Sequence, residues 1–93
     1  MARAEIHVEV FTAPGCARCA AARERLRSVA EQAGGGRVRW REVDVTQETG
    51  YAISLGVLST PAIALDGELV FATLPSEAQL RTEIARRLAA ARR

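Results

Sequence analysis

The sequence predicts an α/β domain with the element order βαβαββα, and three observations carry that reading. The apolar pattern switches between a period of two and a period near 3.6. Gly- and Pro-containing breaks separate the segments, and an Asp-Gly pair joins the last two strand-like runs. A strand–helix–strand opening calls for a right-handed crossover with parallel strands, and the hairpin then extends the other edge. The expected sheet is four-stranded and mixed, of order 2-1-3-4, with helices on both faces. At 93 residues the chain has room for a single domain, 1–93, with its core from 6 to 88.

Each element follows from its own residues. Ile6, Val8 and Val10 alternate with His7, Glu9 and Phe11 as a strand. Thr12-Ala13-Pro14-Gly15 interrupts it as a turn. From Cys16 the period changes: Cys19, Ala22, Leu26, Val29, Ala30 and Ala33 share one helical face, opposite Arg23, Glu24, Arg27, Ser28 and Glu31. Gly34-Gly35-Gly36 ends that helix. Val38 to Val45 reads as the second strand, and Thr46 as the N-cap of a short helix carrying Tyr51, Ala52, Ile53 and Leu55 up to Gly56. Ala62 to Leu65 and Glu68 to Thr73 flank the Asp66-Gly67 turn. Pro75-Ser76 opens the last helix, where Ser76 and Gln79 have capping-box spacing and Leu80, Ile84 and Leu88 fall on one face.

Composition narrows the function classes. Hydrophobic residues are 48% and charged residues 26%, as in ordinary globular domains. All 13 basic residues are Arg and are interleaved with 11 acids, so no stripe marks a nucleic-acid partner. No apolar run approaches the ~20 residues of a membrane span, and nothing after Met1 resembles a signal peptide. A cytoplasmic protein is expected, with no nucleic-acid or membrane partner, and a monomer. His7, the lone histidine, reads as a strand residue, and Trp40 and Tyr51 as core or rim packing. The terminal Arg86-Arg87 and Arg92-Arg93 read as a solvated helix end.

The informative feature is the pair Cys16 and Cys19, the only cysteines. Two cysteines three apart in a cytosolic chain point to redox or metal chemistry rather than a disulfide framework. Cys16 stands where a strand gives way to a helix, and unpaired N–H groups and the helix dipole there favour an anion. A thiolate is such an anion and is the nucleophile of disulfide exchange. Arg18 adds positive charge. Cys19 lies one turn on, on the same face and in the apolar stripe, so it is the more buried partner. In the mechanism that follows, Cys16 attacks a partner's disulfide and Cys19 resolves the mixed disulfide. Thr60-Pro61 is the second feature: a Pro opening a strand needs a special position, and a cis bond there would turn the Thr60 backbone toward the Cys16 loop.

With those residues in hand, the chain resembles the thioredoxin superfamily, and within it the compact glutaredoxin-like thioredoxins of archaea and bacteria. The resemblance rests on Val8-Glu9-Val10-Phe11-Thr12-Ala13-Pro14-Gly15-Cys16-Ala17-Arg18-Cys19 and on Gly56-Val57-Leu58-Ser59-Thr60-Pro61-Ala62-Ile63-Ala64-Leu65-Asp66-Gly67. It implies a thioredoxin-like fold and a thiol–disulfide oxidoreductase with a reversible Cys16–Cys19 disulfide and no cofactor or metal. It further implies that Cys16 is the nucleophile, Cys19 the resolving cysteine and Pro61 the cis-proline. The Thr60 backbone would pair with an extended partner segment. Thr60, Pro61, Ala17 and Arg18 are then the substrate-binding positions, and Ala17 and Arg18 also tune the reduction potential. Partners would be disulfide-containing proteins and a recycling reductase, or glutathione in a glutaredoxin mode.

The departures from the family are as specific. Gly15 stands where thioredoxins place Trp, Ala17-Arg18 replaces Gly-Pro, and Val10 replaces their buried Asp. Glu9 is the nearest acid in sequence, and its alternation reads as a solvated strand residue. Thr73-Leu74-Pro75 is bulkier than the Gly-Gly with which glutaredoxins approach glutathione, which favours a thioredoxin-type substrate mode. A Cys-x-x-Cys metal carrier is the reading from another class, but such carriers follow a βαββαβ order and give Thr60-Pro61 no role. A redox-inert adaptor would have no use for Cys16, Cys19 and Pro61 together.

Overall fold

The computed structural model describes residues 5–91. Its elements run β1 (Ile6–Thr12), α1 (Ala17–Gly34), β2 (Val38–Asp44), α2 (Thr49–Leu55), β3 (Ala62–Leu65), β4 (Glu68–Phe71) and α3 (Glu77–Ala91). The sheet order is β2-β1-β3-β4, with β1 parallel to β2 and antiparallel to β3. This is the predicted mixed sheet. Asp66 and Gly67 both take positive φ, 51° and 80°, as the tight turn between β3 and β4 requires.

The period of two in β1 sorts its side chains between two cores. Ile6, Val8 and Val10 join Ile63 and Leu65 beneath α1 and α3, which contribute Ala22, Leu26, Val29, Ala30, Leu80, Ile84 and Leu88. On the other face Phe11, Val43, Ala62 and Ala64 meet Ala52 and Val57 of α2 and the loop after it. β3 is buried on both sides, which is why it reads as an unbroken apolar run. Trp40 packs against the larger core, as expected, though its indole Nε1 is buried without a partner. Arg92 and Arg93, part of the expected solvated end, lie outside the described residues.

Three boundaries differ from the sequence expectation. Thr46 does not cap α2: its N–H and hydroxyl both donate to Asp44 Oδ1, at 2.8 and 2.6 Å, so its side chain closes a turn at the end of β2. Glu48 holds the cap position without a side-chain bond, and α2 begins at Thr49. β4 stops at Phe71 rather than Thr73, because Phe71 pairs with Ile63 and continued pairing would soon reach Pro61, which has no N–H to donate. The last helix starts as predicted: Ser76 Oγ accepts the Gln79 N–H at 3.0 Å, and Gln79 Oε1 accepts the Ser76 N–H at 2.8 Å.

α3 is tied to the hairpin by charge. Arg87 Nε donates to Glu83 Oε2 at 2.8 Å, and its guanidinium also reaches Glu68 and the Leu65 carbonyl. Hydrogen bonds from Arg86 and Arg87 hold the Glu83 carboxyl below its ordinary value, against the opposing effect of burial.

Candidate active site

The chain passes from β1 to α1 through a turn built for the purpose. The Cys16 N–H donates to the Ala13 carbonyl at 3.2 Å, with Pro14 second and Gly15 third in the turn. Gly15 takes φ +77°, the left-handed value the third position of a type II turn needs. Cys16 is thereby left as the N-cap of α1. Its Sγ accepts the backbone N–H of Cys19 at 3.1 Å, a sulfur doing what a Ser or Asp oxygen ordinarily does.

Cys16 and Cys19 form a disulfide, with their Cα atoms 5.3 Å apart. Cys16 is partly exposed and Cys19 is 5% exposed, so Cys16 is the more accessible of the pair. No acidic residue occupies the first turn of α1 to oppose the helix dipole. Ala17 and Arg18 are exposed beside the pair, and Arg18 makes no ion pair among the described residues. A groove of about 420 Å³ runs past Thr12, Ala13, Cys16 and Cys19 to Arg23, whose Nη1 is bonded to Glu42 at 3.0 Å.

The Thr60–Pro61 bond is cis, Pro61 is fully buried and Thr60 is half-buried. Thr60, Ser59, Leu58 and Val57 line a second hollow together with Val45 and Ala13. Ala13 is a wall of both hollows, so the proline loop and the cysteine loop face one continuous surface.

Glu9 overturns its sequence reading. It is not a solvated strand residue: its side chain is only 12% exposed. Tyr51, carried over the sheet by α2, donates its hydroxyl to Glu9 Oε1, and Arg41 of the neighbouring strand donates to Oε2 from Nε at 3.1 Å and Nη2 at 2.8 Å. The hydrogen bond to Glu9, then burial, pushes the Tyr51 phenol up from its ordinary value. Glu9 nevertheless lies on the α2 face, while Val10 points into the apolar core beneath α1. No carboxylate of β1 therefore sits under Cys19. Among the described residues no group of three or more His, Cys, Asp and Glu side chains could hold a metal ion, and no helix is long and apolar enough to cross a membrane.

Sequence reasoning missed two parts of this surface. Arg23 closes the groove through its bond to Glu42, a contact between elements that no local pattern encodes. Leu58, to which the sequence pattern assigns no role, is 97% exposed.

Comparison with known proteins agrees with the geometry. The profile of the thioredoxin domain family matches residues 5–85. A probable thioredoxin of Methanothermobacter thermautotrophicus is 32% identical over 75 residues, 81% of this chain and 87% of that protein. A thioredoxin of Methanocaldococcus jannaschii is 27% identical over 84 residues, covering 90% of this chain and 98% of its own. Among solved structures, a protein disulfide oxidoreductase from Aeropyrum pernix superposes with a TM-score of 0.80 at 25% identity, over 95% of this chain and 39% of that one. A family match of this extent and a half-exposed, half-buried cysteine pair lead to one conclusion: the chain belongs to the thioredoxin domain family and is a thiol–disulfide oxidoreductase.

Proposed function

We propose that the protein reduces disulfides of other proteins, with Cys16 as the attacking nucleophile and Cys19 as the resolving cysteine. The observation that carries this assignment is the cap geometry. Cys16 Sγ accepts an N–H at the positive end of α1, which stabilises a thiolate there, whereas Cys19 is buried and reaches only a sulfur already held at Cys16. In the reduced protein the Cys16 thiolate attacks one sulfur of the substrate disulfide, and the other leaves as a thiolate. The Cys19 thiolate then attacks Cys16 Sγ, the protein disulfide closes, and the second substrate thiol departs. Two electrons pass to the substrate, and solvent supplies its two protons.

The backbone of half-buried Thr60, set by the cis Pro61, serves as the docking edge for an extended substrate segment, with Ala17 and Arg18. Recycling falls to a partner reductase rather than glutathione, because Thr73-Leu74-Pro75 is bulkier than the Gly-Gly with which glutaredoxins approach the tripeptide. The protein acts as a monomer in the reducing cytoplasm. The test is a pair of variants offered a disulfide-bonded protein. Cys19→Ser traps a covalent mixed disulfide through Cys16 and Cys16→Ser traps none. The reverse pattern overturns the assignment.

A further inference from the structure

An exposed leucine alone needs no explanation. Leu58 has more behind it. It is 97% exposed and Ile53 is 68% exposed, and these two are the exposed large hydrophobics among the described residues. Leu58 stands two residues before Thr60, at the rim of a hollow of about 210 Å³ walled by Ala13, Val45, Val57, Ser59 and Thr60. That hollow shares Ala13 with the groove holding Cys16 and Cys19. No charged side chain lines it.

We propose that Leu58 is a specificity-determining residue: with Val45 and Val57 it receives a large aliphatic side chain carried by the substrate segment close to its half-cystine. The occupant is a partner protein's extended, disulfide-bearing strand, because only a segment whose sulfur lies at Cys16 also passes the adjoining hollow. Charge agrees with this choice, since an apolar hollow without an ion partner rejects a charged flanking residue by desolvation. The inference deepens the oxidoreductase reading and rests on it.

The test uses the reduced protein and a set of short Ser/Gly peptides, each with one cysteine joined to thionitrobenzoate. A single Leu is walked through the three positions on either side of that cysteine. The Cys16 thiolate attacks the peptide sulfur, thionitrobenzoate leaves as the coloured thiolate, and Cys19 then releases the peptide thiol. At one position Leu raises the second-order rate over the Leu-free peptide by about tenfold, the effect of burying roughly half of a leucine side chain. In Leu58→Ser that ratio falls to near one, while Ile53→Ser, on the preceding helix and outside the hollow, keeps it. A wild type without any preferred position, a ratio that survives in Leu58→Ser, or an equal loss in Ile53→Ser overturns the proposal. Failure of the oxidoreductase reading is separate: no peptide, Leu-bearing or not, would then react faster than with free cysteine.

Discussion

Tyr51→Phe is the sharpest probe of the charged cluster on the α2 face. The substitution deletes one hydroxyl and leaves the ring, which stands 5.9 Å from the Phe11 centroid and beneath the Arg41 guanidinium at the same distance. What is lost is the hydrogen bond to Glu9 Oε1, and Oε2 keeps both contacts from Arg41. A hydrogen bond to a charged acceptor contributes about 1.5–3 kcal/mol, and the low end applies because Arg41 still satisfies the carboxylate. A cost of about 1.5 kcal/mol lowers Tm by roughly 6–12 °C in a domain of this size. Urea denaturation of the oxidised protein measures it, with Glu9→Gln and the double variant completing a cycle whose coupling is about 1 kcal/mol. The same residue contributes an alkaline loss of stability. Its pKa is raised in the fold, so the stabilisation is complete below the ordinary phenol value of 10.0 and is lost as pH rises through the higher folded value. The chain has one Tyr and no Lys, so the phenolate band reports this group alone. Tyr51→Phe lacks that alkaline loss. A cost below about 0.5 kcal/mol with zero coupling would refute the reasoning, since the Glu9–Tyr51 contact would then contribute nothing to the fold.

Three further outcomes are expected. In Gly34→Ala the new Cβ would stand 2.2 Å from Val38 Cγ2, on a stiff side chain, and the crowding costs about 1–3 kcal/mol in urea without a change in slope. Glu83→Gln removes a carboxylate whose pKa is lowered in the fold, so the stability it supplies is present above the ordinary value of 4.5 and lost as pH falls through the folded value. The variant and the wild type therefore converge in acid-titrated thermal melts. Val10→Asp puts a carboxyl into an apolar core 2% exposed, where burial raises its pKa. It costs several kcal/mol at neutral pH and less as pH falls through the raised folded value toward the unfolded carboxyl value, which urea midpoints at two pH values will show.

The order and topology of the elements were legible because local signals and fold agree. The two-residue period of β1, the Asp66-Gly67 turn and the Ser76–Gln79 cap each formed where their residues demand. Cys16 and Cys19 were legible for the same reason, as chemistry confined to four consecutive residues at a strand-to-helix junction. What failed to show was set by competing contacts, one of them local and the others between distant segments. Thr46 is a good cap residue, but Asp44 takes its hydroxyl first. Glu9 reads as solvated until Tyr51, 42 residues on, and Arg41 close over it. Leu58 carries no local signal of its own, and only the path of the loop turns it outward.

The two faces of the sheet divide the work, and the division has a physical basis. Alternation along β1 sends Glu9 and Val10 to opposite sides, so the strand's one buried charge lies across the sheet from α1. The Glu9–Arg41–Tyr51 cluster is thereby formed without placing a negative charge beneath the cysteines, where it would oppose thiolate formation. The field at Cys16 is left to the N-terminus of α1, to Arg18, and to Arg23, whose charge is partly offset by Glu42. α2 acts on the site by a different route. It ends at Gly56, from which the chain runs through Val57 and Leu58 to the cis Pro61, so the packing of Tyr51 and Ala52 on the sheet fixes where the proline loop lies relative to Ala13. Under the proposed assignment, changes on the α1 side act on the reactivity of the sulfur, and changes on the α2 side on which disulfide is brought to it.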